Sequence, residues 1–203
     1  MCLYSVVTEV IVRLYVHNSR YSSAMSTRDR LVESTRELLR ERGYTGTSPK
    51  AIQQRADAGQ GSMYHHFAGK QDLALAAITR NAEELTAAAE RELSSPGSPT
   101  ERIAAWLRRE REILRGCPMG VLAQDLEIIA SDALRSPIAE HFDWIRGQLR
   151  EILAEGDLDA RLADTFLAVL QGGYVLARAA GNTEPFTDAV EGAIALLERA
   201  TAV

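Results

Sequence analysis

Along most of the chain the apolar residues recur three or four positions apart, the spacing of one helix face. Leu31, Thr35, Leu38 and Leu39 make one face of a first helix, which Gly43 ends, and Ser26 with Asp29 three residues on reads as the capping box that starts it. Ser48 is placed to cap a second helix, with Pro49 in its first position and Ala51, Ile52 and Ala56 on its inner face. The turn Asp57-Ala58-Gly59 leads to a third helix over 61–67. A fourth begins near Lys70 and carries Leu73, Ala77 and Leu85 to about Leu93.

The stretch Ser94-Ser95-Pro96-Gly97-Ser98-Pro99 is the clearest break in the chain. Beyond it Ile103, Leu107 and Leu114 predict a fifth helix that stops at Gly116-Cys117-Pro118. Residues 121–130 read as one strongly apolar helix. Ile138, Phe142, Ile145, Leu149 and Ile152 share a face of the next, ended by Gly156. Residues 158–180 are apolar on more than one side, and Phe186, Ala189, Val190, Ala193, Ile194 and Leu197 give a last helix a wide apolar stripe. No strand is expected in the body, so the predicted fold class is all-α: an N-terminal three-helix helix-turn-helix head and a C-terminal helical body for ligand binding and dimerisation.

Composition sharpens this picture in three places. Apolar residues make up 46% of 203, ample for a packed core, yet no run of about 20 apolar residues suggests a membrane span. The net charge of −5 is unevenly distributed: residues 25–80 hold nine Lys/Arg against six Asp/Glu, and residues 81–203 hold twelve against twenty-one. A cationic head on an acidic body suits a DNA-facing module, although chance clustering gives the same numbers. Cys2 and Cys117 make neither a disulfide framework nor a zinc cluster and fit a reducing, cytoplasmic setting; no cofactor or metal is expected. Residues 1–24 fit neither half. Glu9 and Arg13 interrupt the apolar run and no basic leader precedes it, so a signal peptide is poorly supported. Residues 6–16 have strand character in isolation, and the segment is expected to be an extension ahead of Met25, poorly ordered or not native. The expected domains are therefore 25–80 and 81–203.

Within the head, 48–70 has the shape of two very short helices joined by a tight turn, the second carrying Gln60, Ser62, Tyr64, His65 and His66. A lone helix that short is marginal in water, and one so polar and aromatic suits presentation to a partner, as in a helix-turn-helix DNA reader. With these elements placed, the strings RLVESTRELLRERGYTGTS, AIQQRADAGQGSMYHHF and GKQDL resemble, in order and spacing, the DNA-binding head of the TetR family of bacterial transcriptional regulators. Gly116-Cys117-Pro118-Met119-Gly120, with Gln171-Gly172-Gly173 later, looks like the LmrA-type branch, whose members repress efflux or oxidoreductase genes and respond to lipophilic small molecules. The chain departs from the family pattern at Asp57, usually Gly, at Ala58, and at Gln60, often basic. Asp57 tolerates the left-handed conformation a tight turn needs, so the departure at Gln60 bears on operator affinity and not on the fold.

A recognition helix enters the major groove with its first turn against base edges. Gln60 can pair with adenine, Ser62 can donate to a base edge or phosphate, and Tyr64 and His65 reach the backbone or a thymine methyl, while Gly59 and Gly61 allow close approach. The resemblance adds phosphate contacts at Tyr44, Thr47, Ser48 and Lys70, the last a cation at a helix N-terminus, where the macrodipole disfavours it. Met63 and Phe67 read as core, and His66 as either packed or in contact. His65-His66 is no metal site, since adjacent helical residues point about 100° apart and no third ligand lies near.

The resemblance assigns the last two helices to a four-helix dimer interface. Their small residues support that independently: Gly173, Ala177 and Ala180 allow close packing, and Leu170, Leu176, Val190, Ile194 and Leu197 supply area, though the same pattern also suits an intrachain core. A pocket for a lipophilic effector would lie inside the other helices. Its apolar candidates are Trp106, Met119, Leu122, Leu126, Trp144, Phe166 and Tyr174. Polar residues on apolar faces are sharper signals: Gln124, Asp125, His141 and Arg178. A buried Asp without a partner is costly, so Asp125 either pairs with Arg178, caps a helix or binds a cationic ligand. Cys117 reads as a structural thiol at a helix break, with redox sensing the lesser reading. The functional expectation is a homodimeric, ligand-released repressor on double-stranded DNA. The alternative is a helical adaptor that does not touch DNA. An all-helical enzyme finds no nucleophile–base pair, carboxylate pair or metal cluster at useful spacing.

Overall fold

The computed structural model describes residues 25–201, so the extension, its strand-like stretch and Cys2 lie outside the described residues. The head comprises α1 (Thr27–Arg42), α2 (Pro49–Ala56) and α3 (Gln60–His66), joined to the body by the long α4 (Lys70–Leu93). Then follow α5 (Pro99–Arg108), a single 3-10 turn (Ile113–Arg115), the short α6 (Pro118–Leu122) and α7 (Leu126–Ala130), and the three long helices α8 (Asp132–Glu155), α9 (Leu162–Ala180) and α10 (Glu184–Thr201). Among the described residues there is no strand, and no helix is long and apolar enough to cross a membrane.

Local chemistry sets the boundaries of the head. The Ser26 hydroxyl accepts the Asp29 N–H at 3.1 Å; the Asp29 carboxylate answers that hydroxyl at 2.6 Å, where a full capping box would reach the backbone. Gly43 closes α1 at φ +69°, and Ser48 caps α2 through the Ala51 N–H with Pro49 in the first turn. Asp57 takes the left-handed conformation at φ 48°, the turn residue expected of it. Ile52 and Met63 from the helix-turn-helix pair are fully buried against Leu31, Leu38 and Leu39 of α1. The burial of each such side chain contributes about 1.5–3 kcal/mol. Arg30 ties the motif together, its Nε donating to the Ala56 carbonyl at the end of α2.

Two expected helices are shorter than their apolar spacing suggests. The fifth stops at Arg108, and residues 109–117 cross the body with only the 3-10 turn as regular structure, because Arg111 draws the chain back by donating to the carbonyls of Trp106, Leu107 and Arg109. The apolar helix expected over 121–130 is broken at Ala123–Asp125 into α6 and α7. The cause is Asp125: one carboxylate oxygen accepts the N–H groups of Glu127 and Ile128 and caps α7, while the other accepts the Tyr44 N–H at 2.7 Å.

Two apolar clusters result. The body cluster gathers α5, α8, α9 and α10 around Trp106, Leu149, Phe166 and Ile194. The head cluster takes in residues far along the chain, Met119, Leu122, Ile128, Leu134 and Ile138. The boundary expected at residue 80 falls inside the unbroken α4.

Removing the Asp125 carboxylate strips α7 of its cap and leaves the Tyr44 N–H without its acceptor. Asp125→Ala should lower unfolding stability by about 2–3 kcal/mol, and Asp125→Asn, which keeps an acceptor, by less. Urea unfolding followed by helical circular dichroism checks both.

Candidate nucleic-acid interface and sensing cavity

The exposed face of the head is built around α3. Met63 and Phe67 anchor the helix from below, and Gln60, Gly61, Tyr64 and His65 face outward, Tyr64 at 50% exposure. Ser62 is half-buried at the edge of that face. Nothing lies within 4 Å of a side chain built at Gly59 or Gly61; glycine suits Gly59 as the N-cap of α3, but inside the helix Gly61 costs about 1 kcal/mol relative to alanine. A solvent-facing reason for Gly61, such as the close approach of a partner, fits better than packing.

The expected phosphate contacts divide. Ser48 is exposed at the start of α2. Lys70 is half-buried with its ammonium 3.8 Å from the centre of the Tyr44 ring, a cation–π contact that offsets the unfavourable macrodipole. Thr47 departs from expectation: it is 1% exposed and its hydroxyl donates to the Gly43 carbonyl at 2.7 Å, so it holds the loop before α2 instead of presenting a donor. Tyr44 is half-buried between Lys70 and Asp125, and burial raises its phenol pKa.

The body holds a partly open cavity of about 460 Å³ between α4, α5, α8, α9 and the segment 109–118. Trp106, His141 and Tyr174 line it as expected, together with Phe142, Ile145, Leu167 and Leu170. Burial drives the His141 pKa down to about 4, so its ring is neutral at pH 7, with Nδ1 2.9 Å from the Thr86 hydroxyl. Burial likewise pushes the Tyr174 phenol up to about 12, which keeps it protonated.

The other expected lining residues lie elsewhere. Met119 and Leu122 are buried in the head cluster, Phe166 in the body core. Leu126 is 84% exposed. Gln124 folds back to the Gly120 carbonyl, and Asp125 has the cap-and-tie role given above. Arg178 is exposed on α9, and Trp144 lines a separate open groove between α4 and α8. What the sequence reading missed is the cavity's charge: Glu92, Arg109, Arg111 and Arg40 all line it. All four come from a charged run or a solvent-like helix end, and the one available signal was the run Arg108–Glu112, where the apolar period lapses.

The cavity wall also grips the head. Arg40, from the last turn of α1, donates to the Gly116 carbonyl at 2.7 Å and pairs with Glu112. Arg115 pairs with Glu37 of the same helix. A Cβ at Gly120 would lie 2.0 Å from Gln171 Oε1, so the glycine of α6 and the glutamine of α9, named together in the sequence, meet in space.

The expected dimer residues also divide. Leu170, Ala177, Val190, Ile194 and Leu197 are at most 4% exposed within a single chain, and Gly173 lies under Phe186, leaving these no area to offer a partner. Leu176 and Ala180 do face outward. On the same outer faces lie Ala168, Gly172, Val175 and Ala179 of α9 and Gly192, Ala195 and Leu196 of α10. Val175, Leu176 and Leu196 are 55%, 55% and 65% exposed, more than apolar side chains of a finished surface usually show together.

Among the described residues no group of His, Cys, Asp and Glu could hold a metal ion. The sequence matches the model for bacterial regulatory proteins of the tetR family over residues 31–77, and that for the C-terminal domain of LmrA/YxaF-like transcriptional regulators over 98–196. It is 27% identical over 170 residues to the HTH-type transcriptional regulator LmrA of Bacillus subtilis, covering 78% of this chain and 90% of that protein. It is also 27% identical over 174 residues to the HTH-type transcriptional repressor DhaR of Mycobacterium sp. strain GP1, covering 78% and 85%. A crystal structure of a TetR transcriptional regulator from Chloroflexus aurantiacus superposes with a TM-score of 0.74 at 25% identity, covering 88% of this chain and 96% of that one.

The outward residues of α3 contribute little to the fold. Gln60→Ala and Tyr64→Ala should each change unfolding stability by less than about 0.5 kcal/mol, whereas Met63→Ala should cost about 2–5 kcal/mol. Urea titration of the three variants separates the two faces of the helix.

Proposed function

The chain belongs to the TetR family of bacterial transcriptional regulators, and from that premise we propose that it acts as a homodimeric repressor, released from a palindromic or near-palindromic operator when a small molecule occupies the body cavity. The observation that carries this reading is the division of α3: an apolar underside locked into the head, and a polar, glycine-containing face with no role inside the chain. Gln60, Ser62, Tyr64 and His65 would read base edges or adjoining backbone. Ser48 and Lys70 would fix register on phosphate. Work on an operator places the protein in the cytoplasm.

Coupling would run through the shared wall. Arg40 borders the cavity and holds Glu112 and Gly116, and Asp125 holds the backbone of Tyr44, whose ring carries Lys70. A ligand that shifts the segment 109–118 would shift α1 and the turn before α2 with it. Release requires the ligand to bind the released conformation better than the DNA-bound one, in which two recognition helices match major grooves about 34–36 Å apart. The outward strip of α9 and α10 would form the dimer, with small residues letting partner helices approach and Val175, Leu176 and Leu196 supplying the apolar area.

Fluorescence anisotropy on a fragment from upstream of the protein's own coding region, with competitor DNA present, tests the first half. Ser62→Ala or Tyr64→Ala should weaken specific binding by about 1–3 kcal/mol, and Lys70→Ala should weaken all sequences alike and lower the salt slope by about one. Wild-type affinity in the Ser62 and Tyr64 variants would remove α3 as the reader, and wild-type affinity and salt slope in the Lys70 variant would remove Lys70 as a phosphate contact. Sedimentation tests the second half: the wild type should run as a dimer, and Leu176→Glu or Leu196→Glu should run as a folded monomer. A wild-type monomer at micromolar concentration would sink the assembly.

A further inference from the structure

The buried side-chain polar atoms that lack a hydrogen-bond partner among the described residues are Arg40 Nε, Glu92 Oε2, Trp106 Nε1 and Arg109 Nη1. All four residues line the body cavity described above. Leaving such groups unpaired is costly, and their gathering at a single place marks where a partner is needed. Three of the four are donors.

The charges point the same way. Arg40 is matched by Glu112. Glu92 approaches Arg109 only to 3.7 Å, beyond hydrogen-bond reach, and burial raises its pKa despite the arginines around it. Arg111, half-buried in the wall, donates to three backbone carbonyls and to no carboxylate among the described residues. Burial lowers its pKa to about 10, so it is still a cation at pH 7. The cavity thus carries two half-buried guanidiniums, Arg109 and Arg111, that share one carboxylate, Glu92, which hydrogen-bonds to neither, beside the unpaired donors. The other walls combine flat or apolar side chains, Trp106, Phe142, Tyr174, Ile145 and Leu167, with the charged Arg91 and Glu110 and the neutral polar His141 and Gln171.

We propose that the cavity is built for an organic anion with an aromatic body, a carboxylate whose oxygens take the Arg109 and Trp106 donors beside Arg111 while its rings lie among Trp106, Phe142 and Tyr174. This replaces the cationic or neutral lipophile expected when Asp125 was placed in the pocket, and it rests on the reading of the cavity as the effector site. The Glu92 carboxylate opposes such a ligand when ionised and turns into a donor when protonated, so it sets the affinity without defining the class.

Three probes of one shape separate charge from shape: naphthoate, naphthamide and naphthylmethylammonium, titrated calorimetrically into the full chain at neutral pH. Naphthoate should bind at least about tenfold more tightly than the amide, with the ammonium weakest. Arg109→Gln should erase the preference for naphthoate over the amide, and Glu92→Gln should strengthen it. Arg111 also holds the turn after α5, so the wild-type ranking, which needs no variant, stands as the primary measurement. Equal or tighter binding of the amide or the ammonium overturns the anion assignment and leaves the cavity as a sensor of another ligand class. Decanoate binding more tightly than naphthoate overturns the aromatic body. Operator release is followed in parallel: a probe that binds without releasing DNA counts against the sensing mechanism alone, and binding by none of the probes overturns the assignment made here.

Discussion

The segment from Gly116 to Ile128 belongs to two structures at once, and the rest of the molecule is arranged around that constraint. Its backbone closes one side of the body cavity, while Met119, Leu122 and Ile128 are buried in the apolar cluster of the head. Arg40 holds its first residue and Asp125 holds the turn after α1. Each tie joins a buried or half-buried donor to an acceptor that has no better partner, so breaking one leaves a polar group stranded at about 1–3 kcal/mol. The head therefore cannot reorient about α4 without either moving this segment or paying that penalty.

The same constraint accounts for the broken helices. An uninterrupted helix through 121–130 would hide the Asp125 carboxylate's outer oxygen from Tyr44. An α5 continued past Arg108 would carry Arg111 away from the carbonyls it now engages. Short α6 and α7 fall well below the length at which a helix is stable alone, so their stability comes from packing against α4, α8 and α1 and from the Asp125 cap. A wall made of such pieces is easier to displace than a long helix, which suits a surface that must respond to what fills the cavity.

Electrostatics in the cavity are set by depth. His141 stays neutral and Tyr174 protonated because burial disfavours their charged forms, so neither supplies charge to a ligand at pH 7. Arg111 resists the same pressure, since its guanidinium does not give up its proton near neutrality even when burial lowers its pKa to about 10. The positive charge beside the unpaired donors thus comes from Arg109 and Arg111, two residues whose sequence context resembles a solvated helix end, and the Glu92 carboxylate opposes it.

What the sequence determined by itself was everything encoded within a few residues. Ser26, Ser48 and Gly43 mark helix ends, Asp57 supplies the left-handed turn, Ser94–Pro99 separates α4 from α5, and the Gln60–His66 helix displays its polar face, because caps, turns and helical periodicity act over one or two turns of chain. The tertiary structure decided which of several equivalent surfaces each apolar stripe meets. Leu170, Ile194 and Leu197 have the spacing of a dimer seam and of an interior alike, and only the approach of α10 to α9 makes them interior and leaves Val175, Leu176 and Leu196 outside. It also decided the partners of buried polar groups. Asp125 and Tyr44 lie 81 positions apart, and nothing local distinguishes a carboxylate that will cap and tie from one that will face a ligand until the fold brings a backbone N–H within 2.7 Å of it.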